Sequence, residues 1–115
     1  MDVHKVIFML KAQDMDRAVA FYKDVIGLEV KSQSAGWSEL GYGDTTVALH
    51  GGGDVEYTPT GLGFTVADID TACQEIARGG GRVVKPPEAR PGEPIKLAQV
   101  ADSEGNGFSL TQELG

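Results

Sequence analysis

The chain has 115 residues, 41% hydrophobic and 23% charged, enough for one core although each half alone would be marginal. A net charge of −7 with no basic cluster argues against nucleic acid or an anionic membrane as partner. No signal-type apolar run opens the chain and no segment reaches the length of a membrane span, so a cytoplasmic location is expected.

In chain order, Val6 to Leu10 is an apolar run that reads as a strand. Asp14 offers a helix N-cap, and Met15, Ala18, Val19, Tyr22, Val25 and Ile26 follow at helical spacing until Gly27 stops the pattern. Leu28 to Lys31 restarts extended structure. Trp37 to Leu40 and Thr45 to His50 are two more strands, separated by the turn signal Gly41-Tyr42-Gly43-Asp44.

A glycine-rich connector from Gly51 to Gly61 separates this β-α-β-β-β half from the next. Leu62 to Val66 reads as a strand, Asp68 as an N-cap, Ile69 to Arg78 as a helix, and Gly79-Gly80-Gly81 as its stop. Three strands follow over Arg82 to Lys85, Ile95 to Ala101 and Gly107 to Gln112. The stretch from Pro86 to Pro94 is too proline-rich for helix or strand, and a loop is expected there.

The two halves are copies of one module. Sliding the sequence by 54 positions lays Asp14-Met15-Asp16-Arg17-Ala18 over Asp68-Ile69-Asp70-Thr71-Ala72, Gly27 over Gly81, Val30 over Val84, and Phe8 and Leu10 over Leu62 and Phe64. The expected fold is α+β: two tandem βαβββ modules, residues 1–57 and 58–115, in one domain, with the two units able to face each other across a cleft.

The string Asp14-Met15-Asp16-Arg17-Ala18-Val19-Ala20-Phe21-Tyr22-Lys23-Asp24-Val25-Ile26-Gly27-Leu28-Glu29-Val30 resembles the first-helix signature of the vicinal oxygen chelate superfamily. That superfamily includes glyoxalase I, the bleomycin resistance proteins and the extradiol dioxygenases. Asp102-Ser103-Glu104-Gly105-Asn106 is similar to its late Asp-Pro-x-Gly-Asn turn, with Ser103 in the place of proline. The resemblance implies the paired-module fold, two tandem βαβββ modules forming a curved mixed sheet around a concave cleft, and, commonly, a homodimer.

It also implies where metal ligands would fall, on the first and last strands of each module. Those positions carry Ile7, Ala48, Gly61 and Ser109, none a ligand of useful strength. A register shifted by two keeps the strand face and substitutes His50 for Ala48 and Thr111 for Ser109, which yields one imidazole and a conceivable Glu39/His50 pair. No metal and no other cofactor are expected.

Strand parity then gives a candidate ligand-binding face: Ile7, Met9 and Lys11; Trp37 and Glu39; Ala48 and His50; Gly61, Gly63 and Thr65; and Ser109 and Thr111. This is an apolar floor with a few hydroxyls and one cation, and its glycines leave room for a flat organic ligand. Trp37 reads either as core or as an aromatic wall; Glu39 on the same parity favours the wall, because a carboxylate is seldom buried without a partner. His50 is either a solvated histidine at the cavity rim or a hydrogen-bonding and acid–base group. His4 has the opposite parity to Ile7 and reads as solvated.

Cys73, the one cysteine, lies on the apolar side of the second helix and reads as a core thiol rather than a nucleophile. The glycine triplets lack the Gly-Lys-Ser/Thr of a phosphate loop, and no nucleophile elbow exists. The favoured function is metal-free binding of a small aromatic or amphipathic molecule in the cleft between modules, resembling bleomycin-resistance-type sequestration. The alternatives are a glyoxalase-like lyase, an isomerase or a dioxygenase, with His50 and Glu39 as catalytic candidates, or a structural partner with an empty cleft.

Overall fold

The computed structural model describes all 115 residues, which divide into two compact units, Met1–Val55 and Glu56–Gly115. No helix is long and apolar enough to cross a membrane.

In the first unit, strand β1 (Ile7–Ala12) leads to helix α1 (Met15–Ala20). Asp14 caps it, its carboxylate accepting from the Arg17 N–H at 3.1 Å. The sequence pattern predicts one helix to Ile26, but the α-helix gives way to a π-helical stretch at Phe21–Ile26. The wider turn still buries Phe21 and Tyr22, whose rings meet edge to face. Gly27 ends the segment at φ +92°, a conformation that favours glycine. Strands β2 (Glu29–Ser32), β3 (Trp37–Tyr42) and β4 (Thr45–Gly51) complete a sheet of order β1-β4-β3-β2, with β1 parallel to β4 and the other pairs antiparallel.

The second unit repeats this plan with β5 (Thr58–Thr65), α2 (Ile69–Arg78), β6 (Arg82–Ala89), β7 (Ile95–Ala101) and β8 (Asn106–Glu113) in the order β5-β8-β7-β6. The Asp68 carboxylate caps α2 through the Thr71 N–H. Strand β5 begins within the stretch expected to be connector, and a register break between Pro59 and Gly63 absorbs Gly61.

The expected loop from Pro86 is also corrected, since β6 continues through Pro86 and Pro87 to Ala89. Proline lacks a backbone donor, which an edge strand tolerates; β6 is an edge, and its pairing with β7 breaks register on either side of Lys85. Only residues 90–94 remain as a connection.

Each core lies between a sheet and its own helix. Leu10, Leu40, Val47 and Leu49 are buried with Ala18, Val19, Phe21 and Tyr22 in the first unit. Phe108, Leu110, Ala98 and Val100 are buried with Ile69, Cys73 and Ile76 in the second. Burial, with a smaller contribution from Asp70, pushes the Cys73 thiol up, so it stays protonated and inert. Asp102, Glu104 and Asn106, in and beside the β7–β8 turn, are buried despite their polarity. Asp102 holds the turn by accepting from the backbone N–H groups of Glu104 and Asn106 and from the Asn106 side-chain amide. The sequence marks this stretch as a turn only by its resemblance.

Candidate functional site

Side chains alternate across a strand, so each sheet has a second face away from its helix. In the first unit the pairing aligns Lys11, His50 and Trp37 across β1, β4 and β3, and Met9, Ala48 and Glu39 one step further along. Ile7, Thr46 and Gly41 form the next row. The seven first-half residues expected on one face therefore share it. Ala48 and Thr46 are buried as its floor, Met9, Ile7 and His50 are exposed, and Trp37 and Glu39 are half-buried.

Polar contacts hold these side chains in place. The Trp37 indole N–H donates to Glu39 Oε2 at 2.8 Å, and the Lys5 ammonium donates to Oε1 at 2.6 Å. Both carboxylate oxygens are therefore engaged, and the indole plane is tethered through its nitrogen. The Lys5 hydrogen bond, then the Trp37 hydrogen bond, hold the Glu39 carboxyl below its ordinary value, with Lys5 and Lys31 adding to this through their charge. The His50 ring meets Trp37 edge to face at 6.2 Å between centroids. Lys11 pairs with Asp54 at 2.6 Å.

Lys5 and Lys31 belong to this face and were missed from sequence. Lys5 has the parity of Ile7 but precedes both β1 and the expected strand, which starts at Val6. Lys31 comes from β2 and lies over Gly41, where an added Cβ would stand 2.7 Å from its Nζ. A glycine at a face position beside a lysine-bearing strand is the one signal that could have pointed to it. His4 is exposed near Asp2, away from the face residues in its contacts.

In the second unit Gly63, Ser109 and Gln99 align across β5, β8 and β7, with Thr65, Thr111 and Leu97 one step along. Space is tighter here than the glycines suggest. A Cβ at Gly63 would stand 2.7 Å from Ser109 Oγ, so the serine hydroxyl occupies the room the glycine opens. Gly61 lies inside the irregular stretch of β5. At Gly107 the Tyr57 ring takes the equivalent space, with the Arg82 guanidinium 5.2 Å from its centroid.

The donor chemistry does not suit a metal ion. Ile7, Ala48 and Gly61 offer no donor, and Ser109 offers a neutral hydroxyl. His50 and Glu39 are diagonal neighbours, and Glu39 has already committed both oxygens to Trp37 and Lys5. No group of three or more His, Cys, Asp or Glu side chains gathers that could hold such an ion.

Two four-stranded mixed sheets, each reached by a βαβββ path and each carrying one helix, define the paired-module class of α+β protein. Residues 6–110 match the model of the Glyoxalase/Bleomycin resistance protein/Dioxygenase superfamily, and the chain belongs to that family. An uncharacterised protein of Mycolicibacterium smegmatis is 31% identical, covering 94% of this chain and 93% of its own. A probable lactoylglutathione lyase of Vibrio cholerae is 27% identical, covering 97% and 93%. Among solved structures, the bleomycin-binding protein of Streptomyces verticillus, complexed with copper(II)-bleomycin, superposes with a TM-score of 0.70 at 20% identity, covering 97% of this chain and 98% of its own.

Proposed function

We propose that this protein binds a small planar aromatic or amphipathic molecule against the helix-free face of its first sheet, without a metal ion, as a sequestering protein rather than an enzyme. The carrying observation is Trp37: half-buried, tethered through its indole nitrogen to Glu39, and met edge to face by the His50 ring. A pre-oriented indole loses little freedom on stacking, and stacking with few hydrogen bonds suits such a ligand. The bleomycin-binding relative supports the reading as a fold that holds a small molecule.

An enzyme reading draws on the probable lyase relative and on His50, an imidazole on the same face. Trp37→Ala tests the ring contact, and His50→Ala separates the readings. Trp37→Ala abolishes ligand-induced quenching of indole fluorescence in any case, so binding is followed by calorimetry. His50→Ala leaves a binder nearly intact but abolishes turnover where the imidazole transfers a proton. Turnover of an aromatic substrate lost in His50→Ala would overturn the sequestration reading. Micromolar Zn or Ni leaves the thermal midpoint unchanged; a rise of several degrees would overturn the metal-free reading.

The same proposal includes a homodimer. Each sheet ends in two edge strands, β1 and β2 or β5 and β6, whose backbone groups favour further pairing. Sedimentation at micromolar concentration yields twice the chain mass; the single-chain mass would remove this part of the proposal.

A further inference from the structure

The first unit's helix-free face is cationic although the chain carries a net charge of −7. Of the five Lys and Arg residues in Met1–Val55, Lys5, Lys11 and Lys31 have side chains on this face. Lys11 is paired with Asp54, and Lys5 spends one of its three donors on Glu39. Lys31 differs from both: its ammonium lies over Gly41, in the row next to Glu39, and acts on that carboxylate through its charge. Its position depends on Gly41, since any side chain there would meet Lys31 Nζ at 2.7 Å.

Two ammonium groups that both act on Glu39, on the face that carries a tethered indole, are complementary to a ligand with a flat apolar body and an anionic end. Glu39 is hydrogen-bonded to Lys5 and Trp37 and faces two ammonium charges, which leaves one positive charge in excess. The arrangement disfavours a cationic ligand, which would meet Lys31 and Lys5 before it met the engaged carboxylate.

We infer that the ligand of this face is an aromatic carboxylate or similar planar organic anion, its ring on Trp37 and its anionic group taken by Lys31 and Lys5. The inference rests on the aromatic-binding reading above and adds the sign of the ligand's charge.

The chain has one tryptophan, so its single indole N–H resonance reports on this site alone. Full-length protein is titrated with 2-naphthoate, 2-naphthamide and 2-naphthylmethylammonium, which share a ring and differ in charge, while that resonance is followed. Naphthoate binds about tenfold more tightly than the amide, the ammonium binds most weakly, and the preference shrinks as salt rises. Lys31→Gln narrows the preference for naphthoate over the amide several-fold, and an undiminished preference would overturn the role of Lys31. Lys5→Gln provides a second variant, with a preserved amide spectrum showing that each is folded.

Equal affinity for naphthoate and naphthamide overturns the charge assignment and leaves aromatic binding standing. Preference for the ammonium overturns it in favour of Glu39 as the recognising group. An indole resonance unmoved by all three probes overturns both readings.

Discussion

The two units share a plan and differ on one face. On the helix side their rows correspond: Leu10, Leu49 and Ser38 in the first match Phe64, Leu110 and Ala98 in the second, and both central residues are buried. On the other side, Lys11, His50 and Trp37 stand where the second unit has Thr65, Thr111 and Leu97, and Met9, Ala48 and Glu39 stand where it has Gly63, Ser109 and Gln99. The duplicated module kept what packs a helix on a sheet and changed what lies opposite. Fold resides in the shared face, and the proposed recognition in the divergent one.

The comparison is broken most directly through the cores. Leu49→Ala and Leu110→Ala each remove a fully buried side chain from an equivalent row, and each lowers unfolding free energy by about 2–5 kcal/mol. Chemical denaturation measures both. A loss below about 1 kcal/mol in one unit only would show that the helix-side rows are not equivalent in packing.

The next effect is on binding. Trp37→Ala weakens an aromatic ligand by roughly 1–3 kcal/mol, the scale of a lost ring contact with its buried area. Leu97→Ala, at the corresponding place in the second unit, has a smaller effect by calorimetry. Equal effects would mean that the second unit's face recognises ligand as well.

Smaller again are the helix starts. Asp14→Ala removes the acceptor of the Arg17 N–H and lowers stability by about 1 kcal/mol, measured by the same denaturation. An unchanged midpoint would show that packing of the helix alone sets its start.

These predictions follow the line between what could be read from residues and what could not. The repeat, both caps, α2 and the order of strands were legible because caps, stop glycines and apolar spacing are local signals. Grouping Trp37 with Glu39 needed only the strand period. Three features were not legible in this way. The π-helical stretch at Phe21–Ile26 keeps enough of the helical spacing to look like ordinary helix. Pro86 and Pro87 argue against a strand unless it is known to be an edge, which depends on sheet order. The places of Lys5 and Lys31 depend on a long side chain reaching a carboxylate and another lying over a glycine, contacts between segments far apart in sequence.

The smallest expected effect isolates one row of the comparison. Glu39→Gln converts the first unit's Met9-Ala48-Glu39 row toward the second unit's Gly63-Ser109-Gln99, exchanging a carboxylate for an amide of the same length. The folded carboxyl titrates below its ordinary value of 4.5 because Lys5 and Trp37 donate to it. The unfolded chain therefore takes up this proton more readily, and the stabilisation is present above pH 4.5 and lost as pH falls through the lower folded value. The amide that replaces the carboxylate has no such titration, while every other carboxylate, the similarly lowered Asp68 included, is common to both proteins. Denaturation midpoints of wild type and Glu39→Gln thus differ most above pH 4.5 and converge in acid. A difference that stayed constant from neutral pH into acid well below that value would show that Glu39 holds Trp37 by shape rather than by charge. The two rows would then differ in electrostatics without a consequence for stability.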